Sequence, residues 1–311
     1  MSKHNSSISC LEHGDELVYG LWDGTLLIVG KEETRSISLN SPATSIRTHL
    51  NTLYIGTAKG DLWMVEGKTK VSHLMKAAFH IMHTDLKIDF VVGIYAKDSE
   101  RIVVTYAYGG IVVYNLAKRA KEKETRTSGR ITASHMDGNR LVYVSDGKVI
   151  CVYDMETEKT TGMKTLLSGT TIDHIIFIQG TEQRTIAYCT PVGKVCVDYV
   201  DKPGTGFVFK AHRKVAENEE TYYPVTLMKQ VGASQIVTAG GDGEVYIWDV
   251  KEKTRVQSVI STKKCVLCGD VKKSEAGAAV SLMLATCEGV RNLCEIEGKY
   301  NLMEVPLGDP V

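Results

Sequence analysis

Apolar and polar positions alternate with a period of two along most of the chain, in short runs that break at glycine. Successive strand residues point to opposite faces of a sheet, so such runs predict strands. Seven stretches share one plan, an apolar strand, a turn holding Gly and a second strand: "ELVYGLWDGTLLIVG", "TLYIGTAKGDLWMVEG", "RIVVTYAYGGIVVYNL", "RLVYVSDGKVICVYDM", "RTIAYCTPVGKVCVDYVD", "QIVTAGGDGEVYIWDV" and "MLATCEGVRNLCEIEG". A tight turn between twisted antiparallel strands demands positive φ, which Gly tolerates. The turn glycines, Gly24, Gly60, Gly109, Gly147, Gly193, Gly243 and Gly289, stand 36 to 50 residues apart. Further short strands are predicted between the hairpins, at "RSISLN", "TSIRTHL" and "ITASHM".

That spacing suits a four-stranded unit repeated along the chain, which is the mark of a β-propeller. The expectation is all-β: one domain, residues 1–311, forming a seven-bladed propeller of four-stranded antiparallel blades. A sandwich, or two in tandem, accounts less well for seven similar hairpins. Either the tail "KYNLMEVPL" or the N-terminal segment would supply the last blade's outer strand. The sixth copy ends in Trp248-Asp249, the pair that gives WD repeats their name, with Tyr153-Asp154 and Tyr114-Asn115 as weaker versions.

Composition agrees: 43% of residues are hydrophobic, with 28 Gly and 6 Pro. Lys plus Arg equals Asp plus Glu at 37 each, so no whole-chain field draws it to nucleic acid or an anionic membrane. The N-terminus lacks an apolar signal core, and the longest apolar run is too short to span a bilayer. An intracellular setting, with its 8 cysteines reduced, is expected. Cys265-x-x-Cys268 with Cys287 and Cys294 has zinc-like spacing, but Cys287 and Cys294 flank a tight turn, as do Cys189 and Cys196, which also suits neighbouring strands of a hairpin.

No nucleophile with its base, metal cluster or phosphate loop stands out, so neither catalysis nor a cofactor is expected. His80-x-x-His83 lacks a third ligand, and His212 reads as a loop or core histidine making a hydrogen bond. "AKRAKEKETRTSGR", residues 117–130, holds six cations against two acids and reads as a solvated, flexible loop between blades three and four. More unusual is "GFVFKAHRKVAENEETYYPV", residues 206–225. It packs Lys210, Arg213 and Lys214, then Glu217, Glu219 and Glu220, then Tyr222-Tyr223-Pro224 into a predicted outer strand, a long solvated loop and the approach to blade six.

From about Ile131 to Val256 the chain resembles the Bub-three/Rae-one (Gle-two) family of WD-repeat propellers. The likeness runs through "RLVYVSDGKVICVYDM", "GKVCVDYVD", "FVFKAHR", "ENEETYYPV" and "TAGGDGEVYIWD" in the family's order. "VDYVD" (Val197 to Asp201) and Pro224 fit the checkpoint branch better than the RNA-export branch. "ATCEG" departs from the family's Ala-Ser-Ser-Tyr, and blades one to three match loosely.

The resemblance implies a non-catalytic scaffold of the spindle checkpoint in the nucleus, at kinetochores and also in the cytoplasm. Its implied partners are GLEBS-containing checkpoint kinases of the Bub-one or BubR-one/Mad-three type and a phosphorylated kinetochore scaffold, not membranes or nucleic acid. By position, the family's phosphate-binding cations correspond to Lys194 and Arg213. A third, in the loop after "YPV", falls near Gly232-Ala233 and is missing. The aromatic residues of its peptide surface correspond to Trp22, with Asp23, and to Tyr108. The alternatives are a Rae-one-like RNA-export propeller using the 118–130 stretch, or a generic WD-repeat adaptor.

Overall fold

The computed structural model describes residues 6–67, 70–76, 89–165, 170–217, 219–274, 277–287 and 300–307. These residues form seven antiparallel blade sheets in chain order, each built from consecutive strands, and one further two-stranded sheet. Six have four strands, so the architecture is that of a seven-bladed propeller. The sixth runs Val225–Gln230, Gln235–Gly240, Glu244–Asp249 and Thr254–Ser261, with spatial order following chain order. The predicted connecting strands are present as Thr34–Ser38, Ala43–His49 and Ile131–Asp137. At the chain ends, Ile8–His13 is the first strand of blade one, while Tyr300–Pro306 pairs with Ala279–Cys287 in blade seven.

The chain divides into two compact units, Ser9–Gly162 and Met163–Val311 with Met1–Ile8. In the first, the middle strands hold apolar runs such as Ile102-Val103-Val104, because both their faces are covered. Ile102 and Val104 pack with Leu62 and Tyr54 of blade two, whereas Val103 between them packs with Ile131 and Leu141 of blade four. Alternation there sorts residues between two interfaces, and each fully buried aliphatic contributes about 1.5–3 kcal/mol. The second unit repeats the device. Ile236 faces Val195 of blade five, and its neighbour Val237 faces Val266 and Leu282 of blade seven. Outer strands are more exposed and carry the charge.

The turn glycines Gly24, Gly60, Gly109, Gly147, Gly193 and Gly243 all adopt positive φ; Gly289 lies outside the described residues. Gly193 shows the second reason for glycine, since a Cβ there would sit 2.3 Å from the carbonyl oxygen of His212. The cause is a recurring clip in which the turn glycine's carbonyl accepts the N–H of the residue leaving the outer strand. It joins Leu39 to Gly24, Thr127 to Gly109, Ala211 to Gly193 and Thr262 to Gly243 at 2.8–2.9 Å. Up-and-down order therefore brings each blade's second turn and the connection to the next blade to the same end of the sheet.

Two expectations are corrected. Residues 117–130 are no flexible loop: Ala120–Arg126 is the outer strand of blade three, paired along its length with Gly110–Asn115. Its alternating charges are paired at the surface, Lys121 with Glu124 and Lys123 with Glu158. Nor is the long loop expected within residues 206–225 a loop, although the outer strand before it is present. Lys202–Lys210 is the outer strand of blade five, and Arg213–Ala216 and Glu219–Tyr222 then form a separate two-stranded hairpin before blade six.

Candidate peptide-binding site

His212 and Arg213, adjacent in sequence, face opposite environments. His212 is wholly buried, and its Nδ1 lies 2.9 Å from Asp242 Oδ1 and its Nε2 3.0 Å from Thr238 Oγ1. Trp248 Nε1 lies 2.9 Å from the same hydroxyl. An indole N–H only donates, so Thr238 Oγ1 accepts from Trp248. The Asp242 carboxylate only accepts, so the His212 ring carries a proton on Nδ1 and donates it to Asp242. The chain of bonds ties the connection, the second turn and the third strand of blade six together, and Trp248 closes over Phe209 at 4.5 Å. His212 is thus a core residue.

Other blades fasten the same junction with different groups. The Tyr108 N–H donates to Asp89 in blade three, the Arg130 N–H to Asp146 in blade four, and the Lys59 N–H to Ser41 in blade two. One structural task with several chemical solutions explains why the Trp-Asp signature is strong only in the sixth copy. Burial pushes the Asp89 carboxyl up to about 6, with the Tyr108 N–H bond opposing it.

Arg213 points out to solvent. In the hairpin Arg213 stands opposite Tyr222, and Glu220 collects their side chains: its carboxylate accepts from the Arg213 guanidinium and from the Tyr222 hydroxyl. Lys210 Nζ lies 3.1 Å from both Glu220 oxygens. The Tyr222 hydroxyl, then Arg213 and Lys210, hold Glu220 far below its ordinary 4.5, at about 2. Lys210 is also the direct cross-strand partner of Lys194, so their side chains share a face of the blade-five sheet. The structure therefore brings Lys194 and Arg213 to the same end of the blade-five sheet, through Lys210. Lys214 turns away, to the Asp242 carbonyl at 3.3 Å and the Tyr223 ring.

Lys210, Glu220 and Tyr222 were not singled out as site residues from sequence. Reading 213–222 as a hairpin would have placed Tyr222 opposite Arg213. Lys229, on the first strand of blade six, is bound to Asp270 at 2.9 Å.

In the other unit, Trp22 lies on the second turn of blade one and is 54% exposed. Its neighbour Asp23 shapes that turn by accepting the Thr25 N–H at 2.8 Å. Tyr108 occupies the corresponding turn of blade three, half-buried, with the Arg130 guanidinium 4.8 Å above its ring. Phe90, which sequence reading passed over, is exposed on the strand connection of the same blade, and its carbonyl accepts the Ala107 N–H. Trp22 and Tyr108 thus occupy equivalent turns two blades apart.

The branch markers prove structural. Asp198 of "VDYVD" is buried at a bulge and accepts the Tyr199 and Gly204 N–H groups at 2.9 Å, bracing the turn into the outer strand. The Pro224 carbonyl accepts the Gly241 N–H at 3.0 Å. As the hairpin reading anticipated, Cys189 and Cys196 lie on neighbouring strands, Cys189 opposite the residue preceding Cys196, while Cys265 lies directly opposite Cys287. His80, His83 and Cys294 lie outside the described residues.

Seven blades, the clipped turn glycines and the Trp248-Asp249 strand end define a WD-repeat propeller, a scaffold fold whose loops and turns are its working surfaces. Over 263 residues the chain is 23% identical to the spindle assembly checkpoint protein bub3 of Schizosaccharomyces pombe, covering 80% of this chain and 78% of that protein. No family model matches it. Among solved structures, U3-55K and the WD40 repeats of RRP9 each superpose with a TM-score of 0.76 at 14% identity, covering 98% of this chain. They cover 97% and 96% of their own chains, respectively, and share the fold.

Proposed function

We propose that this propeller is a non-catalytic peptide-binding scaffold of the spindle assembly checkpoint, working in the nucleus and at kinetochores. The observation that carries the reading is the cation cluster of Lys194, Lys210 and Arg213 at one end of blade five. A phosphothreonine carries nearly two negative charges and strong acceptor oxygens, which such a cluster holds by charge-assisted hydrogen bonds. The ligands are phosphorylated kinetochore repeats there. Trp22 and Tyr108 in the other unit offer aromatic surface to apolar side chains of GLEBS-type segments from checkpoint kinases, with Asp23 holding the Trp22 turn. Similarity to the fission-yeast checkpoint protein supports the assignment. The alternative is a Rae-one-like RNA-export propeller using the basic stretch, in which Arg119, Lys121 and Lys123 are each paired with a glutamate at the surface.

Fluorescence-polarisation titration with phosphorylated and unphosphorylated Met-Glu-Leu-Thr peptides tests the reading. Phosphorylation is expected to tighten binding, and Lys194→Ala with Arg213→Ala to abolish the gain. Equal affinity for the two peptides would sink it.

A further inference from the structure

Neighbouring strands do not by themselves bring two thiols together. Cys196 stands opposite Tyr188, the residue before Cys189, so Cys189 and Cys196 point to opposite faces of the blade-five sheet. Cys265 and Cys287 are different. They are direct partners across the first two strands of blade seven, share a face, and hold their thiols in hydrogen-bond contact. Opposed residues of an antiparallel pair have Cα atoms about 4.5 or 5.5 Å apart, and both separations fall within the range of about 4.4–6.8 Å that a disulfide spans. Access is unequal, for Cys265 is half-buried and Cys287 is buried.

We propose that Cys265 and Cys287 form a redox-sensitive pair in which Cys265 takes the oxidant and Cys287 resolves it, stapling the first two strands of blade seven. The oxidant is a small-molecule disulfide of the glutathione class. The Cys265 thiolate attacks one of its sulfurs, forming a mixed disulfide and releasing one half as a thiolate. The Cys287 thiolate then attacks the Cys265 sulfur, closing the protein disulfide and releasing the second half. The protein gives up two electrons and two protons, the oxidant takes up both pairs, and two small thiols result. Placement drives the second step, because the buried thiol is held beside the first at high effective concentration. Burial pushes the Cys265 thiol up to about 12 and raises that of Cys287 as well. Thiolate is therefore scarce at neutral pH, and the pair answers sustained oxidation rather than brief exposure. The staple closes a loop over residues 266–286 and so restricts the unfolded chain, and reduction by a thiol removes it. Blade seven thereby carries a stability that reports the thiol–disulfide state of its surroundings.

The test incubates the full chain with oxidised glutathione, maps its cysteines by mass spectrometry after digestion, and reads the thermal midpoint before and after. Wild type is expected to yield the linked Cys265–Cys287 peptides and a midpoint raised by about 5 °C, reversed by dithiothreitol. Cys287→Ala should stop at the mixed disulfide on Cys265, and Cys265→Ala should leave the buried Cys287 unmodified. Neither variant should gain stability. A mixed disulfide that persists on Cys265 in wild type, glutathione attached to Cys287 in Cys265→Ala, or linkage through Cys268 or Cys294 instead would each overturn the assignment. An unchanged midpoint in chain fully linked at the two positions would overturn it too.

Discussion

His212 and Arg213 are neighbours in the chain, and each joins an acid by short polar contacts, yet they do different work. His212 binds Asp242 and Thr238 with no exposure to water. Arg213 binds Glu220 on a hairpin open to solvent. In a low-dielectric interior the bonds to His212 are strong and costly to leave unmade. At the surface, water and salt compete for every group, so the Arg213 pair contributes little to stability and remains exchangeable. The contrast shows that residue type does not decide whether a charged cluster holds a fold or takes a ligand. Burial decides.

The largest expected effect is on the buried side. His212→Ala leaves Asp242 without its ring partner in the interior and is expected to cost about 3–5 kcal/mol in urea-unfolding measurements. A loss comparable to that of a surface substitution would break the comparison. Next comes Gly193→Ala, which places a Cβ 2.3 Å from the His212 carbonyl oxygen on a backbone at φ +67°. It should cost about 1–3 kcal/mol by the same measurement.

On the exposed side, Arg213→Ala should leave the thermal midpoint unchanged while weakening phosphopeptide binding about tenfold in polarisation titrations. A fall in both would mean that the hairpin is structural. The smallest effect is a titration. Glu220 is held at about 2, below its ordinary 4.5, so whatever the cluster adds to stability is complete above pH 4.5 and lost as pH falls through 2. Carboxyl-detected NMR should show this low titration in wild type and a higher one in Tyr222→Phe, since the tyrosine hydroxyl is the main cause of the depression. An unchanged value would remove Tyr222 from the cluster.

Much of the fold was legible because propeller blades leave a strong local record. Period-two alternation and turn glycines are properties of a few consecutive residues, and both recur here with blade spacing. The charged outer strand at Ala120–Arg126 was misread because its alternation is of charge, not apolarity: Lys121 and Lys123 find acids on their own strand or a neighbouring element. The hairpin at Arg213–Tyr222 was misread for a related reason, since it has no apolar face to announce it.

The sequence by itself determined the β class, the blade count and the turn positions of the described blades, because each follows from local geometry. Only the tertiary structure decided that His212 belongs to the interior, that Asp198 and Pro224 brace turns, and that Glu220 meets Lys210 and Arg213. Those outcomes depend on which strands lie side by side and which atoms water reaches. Residue spacing along the chain carries neither.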